Sequence, residues 1–124
     1  QIKMKLNLRW RYISCRKKLS QQFIEKYSDK VYWEFISSRQ KLSKSFMEKH
    51  NQKLDWKYIS IYQKLSESFI ERHNDKIYFE FISYYQVLSE KFIEKHREKL
   101  NWKFVSKCQK LSEEFRKKYK NKLK

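Results

Sequence analysis

The chain can be written as five copies of one 23-residue unit, at 8–30, 31–53, 54–76, 77–99 and 100–122, with no insertion or deletion between them. Whatever one copy folds into, the other four fold into as well, and equivalent residues are found by adding 23. A unit this short cannot bury a hydrophobic face alone, so its stability has to come from stacking copy on copy.

Within the third copy, Leu54 to Ile59 and Leu65 to Ile70 share one design: Leu, a capping residue, two variable positions, an aromatic residue and Ile. Asp55 and Ser66 are placed to accept from the first free N–H groups of a helix, and the preceding Leu to pack on the Ile five residues later. Each copy is therefore expected to hold two short helices, about residues 55–63 and 67–73 in this one. Neither reaches the ~12–15 residues at which an isolated helix begins to hold in water.

The chain contains no Gly and no Pro. Hairpin turns and phosphate-cradling Gly loops are thereby excluded, and the bend at Asn74-Asp75-Lys76 is assigned to residues that tolerate turn or left-handed backbone. The expected fold is all-α, an α-solenoid-like stack of five two-helix repeats forming a single domain over 1–124. A closed helical bundle is the alternative, because copies two and four open with Tyr32-Trp33-Glu34-Phe35 and Tyr78-Phe79-Glu80-Phe81 and so allow a 46-residue superperiod. In that superperiod Glu34 and Glu80 are candidates for pairing with basic residues of neighbouring copies.

Five columns are invariant: those of Ser60, Leu65, Ser66, Phe69 and Lys76. The columns of Trp56 (Trp10, Trp33, Phe79, Trp102), Tyr58 and Ile59 vary only among aromatic or aliphatic residues and read as core ladders. His50, His73 and His96 share a column with Tyr27 and Tyr119, so that position is assigned to a packing ring and not to a metal. Neighbouring helices lie ~8–10 Å apart, too far for two such imidazoles to share one zinc. The Ser20 column reads as helix N-caps and the Ser14 column as a small residue that lets helices approach. Neither recurs beside a consistent His and acid pair, so no nucleophilic centre is expected. No catalytic residue, cofactor or small-molecule substrate is predicted.

The net charge of +17, from 31 Lys and Arg against 14 Asp and Glu, points to a polyanionic partner. It is unevenly laid out: the successive copies carry +5, +3, 0, 0 and +6. The candidate nucleic-acid-binding residues are accordingly Arg9, Arg11, Arg16, Lys17 and Lys18 near one end, and Lys103, Lys107, Lys110, Arg116, Lys117, Lys118, Lys120 and Lys122 near the other. Nothing fixes these side chains on one base-reading helix, so phosphate contacts without sequence preference are expected, to DNA before RNA. The neutral middle copies instead carry Ile61, Tyr62, Tyr84 and Tyr85 where other copies are polar or basic. These are assigned to packing between repeats, to a partner-binding, self-associating surface, or to base stacking on the tyrosines.

No apolar run approaches the ~20 residues of a membrane span, and no membrane partner is expected. Cys15 and Cys108 occupy unrelated columns and are expected to be reduced thiols, which with the lack of a signal segment suggests a protein that is not secreted.

The pattern W-x-x-I-S-x-x-Q-x-L-S-E-x-F-I-x-x-x-x-x-K, carried by Trp56, Ile59, Ser60, Gln63, Leu65, Ser66, Glu67, Phe69, Ile70 and Lys76, resembles tandem repeats in proteins of large DNA viruses of amoebae, the Marseillevirus group among them. The resemblance spans 8–122 and implies a viral protein, a small basic virion component on genome DNA, found in the virion and the host cell interior. It brings no functional residues with it. Two other readings stand beside DNA binding: a protein-interaction or virion scaffold acting through the aromatic surface, and a helix-turn-helix regulator.

Overall fold

A computed structural model describes residues 2–123, and among them every regular element is an α-helix. There are ten: α1 Ile2–Arg16, α2 Gln21–Lys26, α3 Trp33–Arg39, α4 Lys44–Lys49, α5 Trp56–Tyr62, α6 Glu67–Arg72, α7 Phe79–Tyr85, α8 Glu90–Lys95, α9 Trp102–Cys108 and α10 Glu113–Lys118. Each copy supplies two, as the repeated segment design dictates. The chain clusters into two compact units, Gln1–Gln63 and Lys64–Lys124, and the boundary falls inside the third copy, between α5 and α6.

Helix starts follow the predicted caps. Ser20, Ser43, Ser66, Ser89 and Ser112 each accept from the backbone N–H three residues on, that of the invariant Phe. Asp55 and Asn101 do the same for α5 and α9, whereas Tyr32 and Tyr78 stand at the N-cap without a side-chain bond. The bends need no left-handed residue, for no non-glycine residue has positive φ among those described. The chain instead leaves each second helix near φ −108°, ψ 24–29° at His50, His96 and Tyr119 and continues through right-handed turns. In these turns Lys53 and Leu54 donate back to the His50 carbonyl, and Asn51 Nδ2 donates to that of Glu48. A polar side chain thus closes the turn that glycine would otherwise make.

In the first unit α1 packs on α3 and α3 on α5; in the second, α7 packs on α9. The Ile36, Ile59, Ile82 and Val105 ladder is fully buried, together with the Phe column at Phe46, Phe69, Phe92 and Phe115. Burial of a side chain of this size stabilises by about 1.5–3 kcal/mol, which explains how helices of six or seven residues persist.

The first copy departs from the others at its start. Its segment 2–8 lacks the turn residues found at Tyr27–Lys30 or His50–Lys53, and α1 runs back two extra turns to Ile2. Ile2, Met4, Leu6 and Leu8 on that extension are exposed. The equivalents of Leu8, namely Val31, Leu54, Ile77 and Leu100, are buried.

Candidate functional site

Which charged residues are free for a ligand depends on which ones the repeats use to hold each other. The buried Gln40 side chain bridges the first two copies: Nε2 donates to the Ser14 and Lys17 carbonyls at 3.0 and 2.7 Å, and Oε1 accepts from Leu19 N–H at 3.1 Å. Gln63 repeats this on Ser37, Gln40 and Leu42, and Gln109 on Ser83, Gln86 and Leu88. One amide thereby satisfies two carbonyls left open near a helix C-terminus and one N–H of the linker that follows. The Ser14 column is more than a small residue: Ser14, Ser37 and Ser83 accept from the backbone N–H of Tyr32, Asp55 and Asn101, the N-cap residues of the next copy.

The acid that reaches between copies is not Glu34 or Glu80, which form no ion pair among the described residues. Both sit in the first turn of a first helix and are exposed, Glu34 on α3 and Glu80 on α7. The ion-pairing role falls to the Glu25 column on the second helices, while Glu67 and Glu90 accept from the backbone N–H and hydroxyl of Ser89 and Ser112 in the following copy. Glu25 meets Lys49 Nζ at 3.1 Å and lies 3.3 Å from His50 Nε2, an ion-pair distance without hydrogen-bond alignment. Glu71 meets Lys95 at 3.0 Å and His96 at 3.1 Å. Glu94 takes Lys118 and the Tyr119 hydroxyl, the latter at 2.6 Å. In each trio the lysine ammonium first and the ring group second hold the carboxyl below the usual carboxylate range. Glu94 in turn raises Lys118 and Tyr119 above their ordinary values.

The His column therefore does two jobs. His50 packs on Phe46 and Trp33, and His96 on Phe92 and Phe79, while each ring edge meets a Glu. No group of three or more His, Cys, Asp or Glu able to hold a metal occurs among the described residues. Cys15 and Cys108 are unpaired thiols, and no described helix is long and apolar enough to cross a membrane.

The predicted phosphate-binding residues are all exposed, but not equally free. The Arg11 guanidinium lies over Tyr32 and Phe35 at 5.7 and 5.6 Å, Lys17 over Tyr12 and Lys122 over Trp102. Lys118 is bound to Glu94. Arg9, Arg16, Lys18, Lys103, Lys107, Lys110, Arg116, Lys117 and Lys120 have no ion pair or ring partner among the described residues. In the first unit Arg9 and Arg16, two turns apart, share a stripe of α1 with Lys5 and the exposed Tyr12. In the second unit Lys103 and Lys107 line one face of α9, with Lys110 just beyond it, and Arg116 and Lys117 project from α10.

Of the aromatic surface residues, Ile61 is half-buried and Tyr62 exposed at the end of α5 in the first unit. Tyr84 and Tyr85, in the second, contact each other at 4.6 Å, and Tyr84 meets Phe104 edge-on at 5.2 Å. Both tyrosines remain about half exposed, and the nearby Val87 is 92% exposed.

Sequence reasoning passed over the Gln column and the Glu25 column as partners between copies. The Gln column's signal was present: Gln40, Gln63, Gln86 and Gln109 recur at fixed spacing directly after the first helix, where an uncharged polar residue has no reason to recur unless it is bonded. Comparison with family models, curated proteins and solved structures finds no match for this chain.

Proposed function

We propose that the protein is a non-enzymatic nucleic-acid-binding repeat protein that grips phosphates, of DNA before RNA, without reading sequence. What carries this reading is the set of exposed cations without ion-pair or ring partners on α1, α9 and α10, left over after every Glu of the inter-repeat trios has taken its own lysine. Free cations on helical faces release counterions when they meet a phosphate chain, and that release favours binding whatever the base sequence. In the setting that the repeat's resemblance implies, such a protein serves as a basic virion component on genome DNA.

The test is a titration of random-sequence duplex DNA at several salt concentrations. With about six phosphates neutralised, log K falls against log salt with a slope of roughly −5. Reversing Lys107, Arg116 and Lys117 to Glu flattens that slope. No binding at low salt, or binding indifferent to the reversal, overturns the proposal, and a strong preference for one sequence over its scramble replaces it with a site-reading regulator.

A second reading, a protein-interaction scaffold, is favoured by the half-exposed Tyr84 and Tyr85 and the fully displayed Val87. Apolar side chains on an otherwise charged surface mark contact sites. It expects Tyr84→Glu to dissociate any oligomer seen by sedimentation. A protein that sediments as a monomer at all concentrations removes self-association from this reading.

A further inference from the structure

The first copy's indole differs from its equivalents in two ways. Trp33, Trp56 and Trp102 each donate Nε1–H to the carbonyl five residues upstream, that of Ser28, Asn51 and Arg97, at 2.8–2.9 Å. Lys53, Lys99 and Lys122 lie 5.2–5.9 Å over the rings of Trp33, Phe79 and Trp102. Trp10 has neither partner among the described residues. Five residues upstream lies Lys5, inside α1, where the carbonyl is taken by the helix itself. Lys30, the equivalent of Lys53, lines the space beside the ring.

The result is a cleft of about 590 Å³ between the start of α1 and residues 29–32, within the size range of small-ligand sites. Leu6, Trp10, Val31 and Tyr32 give it an apolar, aromatic wall, and Lys3 and Lys30 add two ammonium groups. Asn7 contributes an amide and Asp29 an acceptor. The indole itself is held in place by Tyr27 and Phe23, at ring separations of 5.2 and 6.2 Å.

We propose that this cleft binds one nucleotide of a single strand, its base against the Trp10 indole and its phosphate between Lys3 and Lys30. The complementarity is chemical. A base offers a π-face for the ring and donors for Asn7 Oδ1 and Asp29, and the sugar-phosphate oxygens offer an acceptor for the in-plane indole N–H; an acidic peptide would satisfy the ammonium groups and the N–H but leave the ring face without a stacking partner. Base stacking on an aromatic side chain is worth ~1–3 kcal/mol per base. The inference rests on the nucleic-acid reading for its choice of ligand, but it is separable from duplex binding.

The indole N–H resonances give the experiment. Trp10→Phe identifies the Trp10 signal among the four, and the wild-type protein is then titrated with adenosine monophosphate, a single-stranded pentanucleotide, inorganic phosphate and an acidic peptide. The Trp10 signal is expected to move with the mononucleotide and, at lower concentration, with the pentanucleotide, while the three bonded indoles stay. Trp10→Ala should weaken pentanucleotide binding about 10-fold and leave duplex affinity unchanged. Lys3→Glu with Lys30→Glu, at two exposed positions without ion-pair or ring partners among the described residues, should weaken it too, which keeps the test open if Trp10→Ala does not fold.

A response to pentanucleotide but not to mononucleotide places the ligand in a strand and supports the proposal; a response to both does so equally. Movement with phosphate alone to the same extent, movement only with the peptide, or no movement with any probe overturns it. Duplex binding without a Trp10 response sinks this inference and spares the general reading. A Trp10 response without duplex binding does the reverse.

Discussion

The inner copies and the terminal copies differ at the positions through which repeats hold each other. Inner copies reach back with a Gln amide and forward with a Glu carboxylate. In the first copy the Gln column holds Lys17, which has no acceptor for the N–H that Gln40 receives from Leu19. In the last copy the Glu column holds Lys117, and the column of the buried Ile24, Ile70 and Ile93 holds Arg116. Lys17 and Lys117 stand where inner copies carry a bridging amide or carboxylate, and all three substitutions add an exposed cation. Arg116 and Lys117, which have no ion pair or ring partner among the described residues, are thereby left available to phosphates.

The largest effect expected from this contrast is on stability. Gln40→Ala strands two carbonyls and one N–H in a buried site and should lower unfolding free energy by about 3 kcal/mol, measured by urea denaturation. Lys17→Gln, at the equivalent position of the first copy, should change it by less than about 0.5 kcal/mol. Equal effects at the two positions would erase the distinction between inner and terminal copies.

Next comes binding. Replacing Arg116 and Lys117 with the inner-copy residues Ile and Glu should reduce the magnitude of the salt slope for duplex DNA by roughly 2, about one unit for each phosphate no longer neutralised. The reverse change in an inner copy, Glu71→Lys, breaks the pairing with Lys95 and His96 and should cost stability while steepening the slope. Salt-dependent binding curves on the two variants check both.

Acid gives a smaller effect. Glu25, Glu71 and Glu94 have folded-state values below the unfolded carboxyl value of roughly 4.3, so their contribution is complete above that value and is lost as pH falls through the lower folded one. Thermal midpoints should therefore drop below about pH 4, and less steeply in Glu94→Gln. Lys118 is raised, so its contribution holds below its unfolded value of roughly 10.4 and is lost at higher pH. Smallest of all is Tyr119→Phe, which removes one part-buried hydroxyl bond to Glu94 and should lower the midpoint slightly in the last copy without altering DNA binding.

Much of this was legible in the chain because a strict repeat reports each constraint five times. The Ser66 column predicted five N-caps and the Phe69 column a core ladder, and both are found where the spacing put them. The partners of the charged groups were less legible. Glu34 looked like an inter-copy acid because it alternates with basic residues, but pairing depends on which carboxylate reaches a cation of the next copy, and Glu25 on the second helix does so where Glu34 on the first does not. Likewise the basic residues could be counted but not sorted. Only the packed structure separates Lys118 and Arg11, committed to Glu94 and to two aromatic rings, from Arg9 and Lys117, which are free.

The sequence by itself determined that the protein is a helical repeat, where every helix after α1 begins, and that its charge gathers near both ends, since these follow from local spacing and composition. The tertiary structure decided which amides, carboxylates and cations meet across copies, and that among the described residues Trp10 alone of the indoles has no hydrogen-bond acceptor. Those outcomes depend on distances between residues 18 to 26 positions apart, which only packing fixes. α1 is the clearest case: the absence of a turn at 2–8 is written in the sequence, but the cleft it opens beside Val31 and Tyr32 exists only once the two copies are packed together.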